Sequence, residues 1–276
     1  MREAGALADA RILDAVARAQ VRLRAAGCET PRLDAELLLA EVLACDRGQL
    51  VVDGHAALPD EAVRRFDAMV ERRAAREPVA YILGRKDFRR ISLMVDRRVL
   101  IPRPETELLV DVGCSLTLGA RVVDVGTGSG AVALALKDER PDLVLAGTDD
   151  SAEALSVARA NASRLGLDVR FAYADLLDGR AYDAVLGNLP YVASSATGLA
   201  PEITNYEPPV ALYGGVDGLD LVRRLLAQLD GVAVAALEVA FDQAEAVSSL
   251  AAEAGFKSVQ RLRDLAGYER VVVARR

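Results

Sequence analysis

From about residue 120 onward, the sequence alternates short apolar runs with longer amphipathic segments. The runs read as strands because they are rich in Val, Leu and Ala and are bounded by polar residues. They are ARVVDVG, LVLAGTD, VRFAYAD, YDAVLGN, VAVAALEVA, SVQRLRD and ERVVVARR. Near-continuously apolar strands with helices between them indicate a parallel sheet that is covered on both faces. The last two strands are joined through the short LAGY segment, so at least one should run antiparallel. The sequence therefore predicts an α/β domain with a seven-stranded, mostly parallel sheet.

The first part of the chain has a different pattern and is expected to be helical up to about Glu77, because apolar positions recur at three- and four-residue spacing. Pro78 ends this region, and the runs ISLMV and RRVLI around Asp96 predict a β-hairpin of two short strands. With 276 residues, the chain is long enough for two domains. The expected organisation is a small all-helical N-terminal domain over 1–80, a β-hairpin linker over 81–101 and the α/β domain over 102–276.

Composition excludes several classes of function. The formal net charge is −7, which argues against binding to a nucleic-acid backbone, so no direct nucleic-acid partner is expected. No segment resembles a secretory signal or approaches roughly 18 uncharged apolar residues, so neither secretion nor a membrane span is expected. The isolated cysteines Cys28, Cys45 and Cys114 indicate a reducing compartment, the cytoplasm. With His55 as the sole histidine, zinc chemistry and Ser-His-Asp hydrolysis are poorly supported, and no metal is expected.

A glycine-rich loop, DVGTGSG, directly follows the first strand of the α/β region and opens a helix. Glycines let a ligand approach the backbone closely, and the start of the helix offers unpaired N–H groups. The spacing is GxGxG and not the GxGxxG of dinucleotide sites. Together with Asp124 at the end of the preceding strand, it is typical of methyltransferases that use S-adenosylmethionine. The predicted cofactor-binding residues of this loop are Gly126, Thr127, Gly128, Ser129 and Gly130.

Acidic residues follow the next two strands. Asp149 ends the second strand about 20 residues after the glycine loop, where an acid can bind ribose hydroxyls. Asp150 is the competing candidate, but with Ser151 it is expected to cap the following helix. Asp175 follows the third strand, where it could accept a hydrogen bond from an adenine amino group. Ligands bind at the carboxyl ends of parallel strands, and all these residues are expected there.

The fourth strand ends in the tetrad Asn188-Leu189-Pro190-Tyr191. An amide or aryl amine is a poor nucleophile because its lone pair is delocalised, so methylating one depends on positioning it about 3 Å from the methyl carbon. The side-chain oxygen of Asn188 and the backbone carbonyl of Leu189 could grip the two N–H bonds and orient the lone pair. Tyr191 could stack on or cover a planar substrate group. The tetrad is therefore predicted to be the catalytic and substrate-binding element.

The chain resembles the PrmC/HemK class of release-factor glutamine N5-methyltransferases over essentially its whole length. The matching motifs are IPRPETELLV, DVGTGSGAVALAL, NLPY, YEPPVALYGGVDGLDLVRRL, LEVAFDQ and LAGYERVVVAR. The resemblance implies a Rossmann-like class I S-adenosylmethionine-dependent methyltransferase with a helical N-terminal domain that helps to recognise the partner. It also implies the substrate, which is the glutamine of the Gly-Gly-Gln loop in class 1 peptide chain release factors.

The resemblance also assigns individual residues. It implies that the glycine loop and Asp149 hold the cofactor, that Leu176 lies against the adenine, and that Asn188, where cofactor and substrate meet, contacts both. Several family members have a larger aromatic residue where this chain has Leu176. Phe88 matches a position near the substrate side chain, although a hairpin core residue is an equally good interpretation.

Leu189 is the departure from the family, whose pattern is Asn-Pro-Pro-Tyr. Asn-Leu-Pro-Tyr is typical of rRNA adenine dimethyltransferases, so rRNA or DNA adenine N6-methylation is the alternative function. The acidic charge, the N-terminal position of the helical domain and the lack of a long C-terminal helical extension weigh against it. A catalytically dead adaptor is a second alternative, but the presence of Asn188 and Asp149 argues against it. Methylation of another protein's glutamine is a third, which the tetrad alone leaves open.

Overall fold

The structure, a computed structural model, describes residues 11–276. These residues form two compact units: a helical unit made of the residues up to Gly84 with Pro201–Tyr206, and an α/β unit made of Arg85–Ala200 with Glu207–Arg276. The part of the expected N-terminal domain that covers residues 1–10 lies outside the described residues. Within 11–276, no helix is long and apolar enough to cross a membrane.

The helices and strands follow the expected order. The α-helices are Ile12–Ala25 (α1), Pro31–Leu43 (α2), Arg47–Val52 (α3), Asp60–Ala74 (α4), Val79–Leu83 (α5), Glu107–Cys114 (α6), Ala131–Glu139 (α7), Ala152–Leu165 (α8), Pro201–Tyr206 (α9), Asp220–Leu226 (α10) and Ala244–Glu253 (α11). The strands are Arg85–Phe88 (β1), Ile91–Met94 (β2), Arg121–Val125 (β3), Val144–Asp149 (β4), Arg170–Tyr173 (β5), Ala184–Gly187 (β6), Val234–Glu238 (β7), Ser258–Arg263 (β8) and Glu269–Arg275 (β9).

The helical unit packs α1 to α5 around one apolar core that includes Leu23, Leu38 and Phe66. It also contains a buried polar cluster. The Arg73 guanidinium donates from Nε to Asp34 Oδ2 over 2.7 Å and from Nη2 to Glu202 Oε1 over 2.8 Å. A buried arginine must be paired in this way, because an unpaired charge is costly to remove from water. Glu202 lies on α9, so this ion pair places a helix from late in the sequence in the helical unit.

The α/β unit is built on a seven-stranded sheet in the order β5-β4-β3-β6-β7-β9-β8. The strands from β5 to β7 are parallel, and β9 runs antiparallel to both of its neighbours. The predicted seven-stranded, mostly parallel sheet is therefore confirmed, as is the antiparallel pairing of the two terminal strands. Because β3, β4, β5, β6 and β7 are parallel, the residues that follow them meet at one edge of the sheet.

The β-hairpin forms earlier in the chain than its sequence pattern suggested. Its strands are β1 and β2, with Phe88 opposite Ile91 across the turn. The turn residue Arg89 has a left-handed φ of +53°. The expectation of a strand over residues 97–101 is wrong: Asp96 accepts the backbone N–H of Arg98 over 3.0 Å, which folds this segment into a turn.

Asn161, a fully buried residue of α8, fastens the hairpin to the glycine loop. Its Oδ1 accepts the backbone N–H of Met94 over 2.7 Å. Its Nδ2 donates to the backbone carbonyls of Met94 and Ser129, both over 3.0 Å. One side chain thus satisfies three backbone groups from two separate segments.

We expect Asn161→Ala to lower the free energy of unfolding by about 2–4 kcal/mol, because the part-buried backbone groups of Met94 and the buried carbonyl of Ser129 lose their partner. Urea unfolding followed by circular dichroism measures the change. Ser163→Ala, an exposed substitution on the same helix, is the matched control and should change stability by less than about 0.5 kcal/mol. Equal midpoints for the two variants would contradict this role of Asn161.

Candidate active site

A cavity of about 410 Å³ opens at the carboxyl edge of the sheet, and all its lining residues belong to the α/β unit. It is large enough to hold a small organic ligand. The structure brings most of the predicted site residues together in its lining, which includes Gly126, Thr127, Gly128, Ser129, Asp149, Asp175, Leu176, Asn188, Leu189 and Pro190. Gly130, Tyr191 and Phe88 are predicted site residues that lie outside this lining.

The glycine loop is held in a conformation that only glycine adopts freely. Gly126, Gly128 and Gly130 have φ values of +69°, +54° and +83°. A side chain at Gly128 would meet no atom within 4 Å, since this residue borders the open cavity. A side chain at Gly130 would instead lie 2.9 Å from Leu134 and 3.2 Å from Phe171. Gly128 therefore faces the ligand space, while Gly130 packs against the core.

Asp124, in β3, lies beneath the loop and is 2% exposed. Its Oδ2 accepts the Thr127 hydroxyl over 2.6 Å and the backbone N–H of Ala133 over 3.3 Å. Burial raises the pKa of Asp124 to about 7, and these two hydrogen bonds oppose the rise. The acid ties the loop to the start of α7.

Asp149 ends β4 with both carboxylate oxygens engaged by the backbone. Oδ2 accepts the N–H of Gly128, and Oδ1 accepts the N–H of Ser151, each over 2.9 Å. Burial raises the pKa of Asp149, and the same hydrogen bonds act against the rise. Each oxygen keeps a lone pair for a ligand donor. The neighbouring Asp150 also lines the cavity, and Ser151 caps α8 by accepting the N–H of Ala154 over 3.1 Å.

Asp175 and Leu176 border the cavity after β5. The carboxylate of Asp175 is mostly exposed and forms an ion pair with Arg224. Leu176 is buried and has a left-handed φ of +70°. Its backbone carbonyl accepts the Thr148 hydroxyl over 2.6 Å. A leucine in this conformation is strained, and the hydrogen bond from β4 helps to hold it.

The tetrad lies at the end of β6. The Asn188 Nδ2 donates to the hydroxyl of Thr106 over 3.1 Å. Leu189 is 4% exposed and belongs to the core of the α/β unit. It packs so closely beneath the glycine loop that a side chain at Gly126 would lie 3.2 Å from its Cδ2. Packing therefore fixes the position of Leu189.

A loop with the sequence YGGVDG holds the tetrad from its other side. The N–H of Gly214 donates to the carbonyl of Val192 over 2.9 Å. A Cβ on Gly214 would lie 2.1 Å from the carbonyl oxygen of Pro190, so only glycine fits there. Gln243 adds a hydrogen bond from Nε2 to the carbonyl of Tyr191 over 2.9 Å. In the sequence, Gly214 and Gln243 are marked only as parts of the motifs YEPPVALYGGVDGLDLVRRL and LEVAFDQ.

Tyr191 is turned toward a buried acid. Its hydroxyl donates to Glu238 Oε1 over 3.4 Å. Burial and the charge of Glu238 raise the pKa of Tyr191. The predicted site residues did not include Glu238 or Thr106, because each belongs to a segment remote from the tetrad in sequence. In the sequence, Glu238 belongs to the motif LEVAFDQ and Thr106 to the motif IPRPETELLV, and these motifs are the only sequence signal for either residue.

Phe88 is 1% exposed and closes the hairpin at the end of β1. The structure thus places it in a core, and its role near a substrate stays a prediction. Among residues 11–276, no group of three or more His, Cys, Asp or Glu residues is placed to hold a metal ion.

Solved structures share the fold of this chain at low sequence identity. The hMettl16 catalytic domain in complex with a MAT2A 3′UTR hairpin has a TM-score of 0.58 at 16% identity, covering 75% of this chain and 81% of that chain. A methyltransferase from Pyrococcus furiosus has a TM-score of 0.52 at 17% identity, covering 66% of this chain and 87% of that one. At this identity the likeness concerns the fold alone.

Sequence relatives are much closer. Residues 14–84 match the family described as PrmC N-terminal domain, and residues 104–204 match the methyltransferase small domain. The release factor glutamine methyltransferase of Caulobacter vibrioides is 38% identical over 92% of this chain and 93% of its own length. Those of Rhodospirillum rubrum and Xylella fastidiosa strain Temecula1 are 40% and 41% identical, over 99% and 92% of this chain and 87% and 96% of their own lengths. A glycine loop, an acid at the end of β4 and an Asn-x-Pro-Tyr tetrad at one sheet edge agree with these matches, and the chain belongs to the release factor glutamine methyltransferase family.

Proposed function

We propose that this chain transfers a methyl group from S-adenosylmethionine to the side-chain amide nitrogen (N5) of the glutamine in the Gly-Gly-Gln motif of class 1 peptide chain release factors. The observation that carries the proposal is the orientation of the side-chain carboxamide of Asn188, which directly follows β6. Because its Nδ2 is bound to Thr106, its Oδ1 is the end available to an amide N–H. Family membership supports the same substrate class.

The residues of the cavity fit S-adenosylmethionine, which when bound supplies an electrophilic methyl group on a sulfonium. The open position above Gly128 lets a ligand approach the backbone of the loop. Asp149 would accept the ribose hydroxyls with the lone pairs that Gly128 and Ser151 leave free. Asp175 would accept from the adenine amino group, and Leu176 would lie against the ring. Thr127, Ser129 and Asn188 would complete the site.

The tetrad would prepare the amide nitrogen of the substrate. The Asn188 Oδ1 and the carbonyl oxygen of Leu189 would each accept one N–H, so that the nitrogen lone pair points into the cavity. A fixed orientation lowers the barrier because the entropic cost is met on binding. One of the two N–H protons becomes acidic once the nitrogen is alkylated and would leave to water, so no strong base is required. Pro190 and Tyr191 would shape the pocket for the glutamine side chain, with Phe88 nearby.

The helical unit would help to recognise the release factor, and residues 1–80 correspond to this expected partner-recognition domain. We expect the reaction to take place in the cytoplasm, where release factors act. The alternative function, adenine N6-methylation of RNA or DNA, was suggested by Leu189 alone. It is not favoured, because relatives that match over most of their length are named for a protein substrate. Leu189 offers the same backbone carbonyl as a proline would.

Asp149→Asn should weaken S-adenosylmethionine binding by about 10–100-fold, because hydrogen bonds to a charged acceptor contribute about 1.5–3 kcal/mol. Isothermal titration calorimetry measures the affinity. Asp150→Asn is the matched control, since it removes the neighbouring carboxylate, and should change the affinity by less than about threefold. If Asp150→Asn had the larger effect, the ribose acid would be misassigned.

Asn188→Ala should lower turnover by about 10²–10³, by analogy with the loss of one preorganised group that binds the transition state. Its effect on cofactor affinity should be modest, because the glycine loop and Asp149 are untouched. Single-turnover methylation at saturating cofactor measures the rate. Wild-type turnover in this variant would refute the role of Asn188.

The substrate can be tested directly with cofactor that carries an isotopic label on its methyl group. We expect label on an intact class 1 release factor and none on its Gly-Gly-Gln→Gly-Gly-Ala variant. Small-subunit ribosomal RNA in a parallel reaction should stay unlabelled. Label on the RNA with none on the release factor would overturn the proposed function in favour of adenine methylation.

A further inference from the structure

The side chain of Asn188 is held by one hydrogen bond that decides which of its ends is available to a substrate. Nδ2 donates to the hydroxyl of Thr106 over 3.1 Å. A carboxamide has one donor end and one acceptor end, so this bond leaves Oδ1 to accept from a ligand. Thr106 is 4% exposed and lines the cavity. A group that makes the Thr106 hydroxyl accept from Asn188 Nδ2 would therefore also leave Asn188 Oδ1 available to accept from the substrate.

Thr106 also lies beside Glu238, and its side chain acts to lower the pKa of that carboxyl group. A hydroxyl that accepts one hydrogen bond still has its own proton to donate to a carboxylate. The hydroxyl of Tyr191 donates to the same carboxyl group, at Oε1, over 3.4 Å. Glu238 is the last residue of β7 and is 2% exposed. Its Oε2 is buried and has no hydrogen-bond partner within the described part of the chain. A buried acid with one oxygen left unpaired is costly for stability, and such costs are concentrated at functional sites.

We infer that Glu238 is a positioning residue: as a carboxylate it accepts the hydrogen bond of the Thr106 hydroxyl, leaves the Thr106 oxygen to accept from Asn188, and so keeps Asn188 Oδ1 directed at the substrate amide. The inference rests on the proposed function, in which Oδ1 grips an amide N–H. It assigns to Glu238 and Thr106 a role in the reaction without contact with the reacting atoms.

Protonation of Glu238 would allow the hydrogen bonds between Glu238, Thr106 and Asn188 to reverse their direction. A neutral carboxyl group has an O–H that can donate to Thr106, and Thr106 can then donate its own proton to Asn188. The carboxamide of Asn188 would rotate to place Oδ1 on Thr106 and Nδ2 toward the substrate. Two N–H groups would then face each other, and the substrate amide would lose its acceptor. Turnover therefore requires the ionised form of Glu238.

The surroundings of Glu238 place its titration near neutral pH. Burial raises its pKa to about 7, and the negative charge of Glu105 acts in the same direction. The hydrogen bonds from Thr106 and Tyr191 and the positive charge of Arg270 act in the opposite direction. Since the active form is the ionised one, kcat should rise as the pH increases through about 7.

The first test compares two substitutions at Thr106. Thr106→Val keeps the shape of the side chain and removes the hydroxyl, whereas Thr106→Ser keeps the hydroxyl and removes the methyl group. We expect Thr106→Val to lower kcat by about 10–100-fold, the usual effect of losing an orienting partner. Thr106→Ser should rescue most of that loss. Cofactor affinity, measured by calorimetry, should stay within about threefold of wild type in both variants. Equal kcat for the Val and Ser variants would refute the role of the hydroxyl.

The second test uses Glu238→Gln, which is neutral at every pH and can donate to Thr106 as the protonated acid does. We expect wild-type kcat to rise through about pH 7, and the variant to be flat and about tenfold slower above that pH. Asp124 is a second group whose pKa lies at about 7. If the rise persisted in Glu238→Gln, it would belong to a group such as Asp124, and the inference on Glu238 would be wrong.

A third measurement does not depend on turnover or on the folding of any variant at Thr106 or Glu238. The side-chain NH2 signal of Asn188 in the wild-type enzyme, identified by its loss in Asn188→Ala, can be followed by ¹⁵N–¹H spectroscopy against pH. We expect it to shift with a midpoint near 7, and a signal constant across that range would overturn the inference. Absence of release-factor methylation by wild type would instead refute the proposed function, so the two failures can be told apart.

Discussion

Packing and hydrogen bonds from separate segments hold the backbone of residues 188–191 at the edge of the sheet, and the geometry of the cavity depends on these contacts. From one side, Leu189 packs beneath the glycine loop at Gly126. From the other, Gly214 approaches the carbonyl of Pro190 so closely that no side chain fits between them. Gln243 fastens the end of the tetrad through the carbonyl of Tyr191. The contacts with the glycine loop, Gly214 and Gln243 therefore fix the backbone of residues 188–191 at the border of the cavity.

These contacts give a physical reason to expect that leucine can stand at position 189, where the family resemblance leads one to expect proline. A proline would fix φ near −65° through its ring, whereas the buried leucine is fixed through packing with the core of the α/β unit. Either residue has the same backbone carbonyl oxygen, which is the atom that the proposed mechanism uses. The sequence of the tetrad is thus a weaker guide to substrate than the elements around it, and the adenine alternative loses its main support.

Periodicity and spacing predict the sheet and the positions of the glycine loop and Asp149 well, because strand alternation and the positions of strand ends are local properties of a sequence. They place the hairpin wrongly, since the run at 97–101 is apolar like a strand but Asp96 turns the chain there. Glu238 and Thr106 were not predicted as site residues because their importance comes from contacts across remote segments. The sequence predicts that the ring of Tyr191 covers a substrate group, but it gives no signal for the hydrogen bond of the Tyr191 hydroxyl to Glu238. Only the folded chain shows such pairings.

The two acids with the largest burial, Asp124 and Glu238, connect stability with chemistry. Each has a pKa raised by burial to about 7, so between about pH 4.5 and 7 the folded state binds protons that the unfolded chain has released. The free energy of unfolding contributed by these groups therefore falls as the pH rises through that range, and the loss is complete above pH 7. The enzyme would be most active where Glu238 is ionised, which is also where its burial contributes least to the free energy of unfolding. The loss of stability is the consequence of using a buried carboxylate to orient Asn188. A carboxylate can only accept hydrogen bonds, whereas a neutral group in the same place could either donate to Thr106 or accept from it.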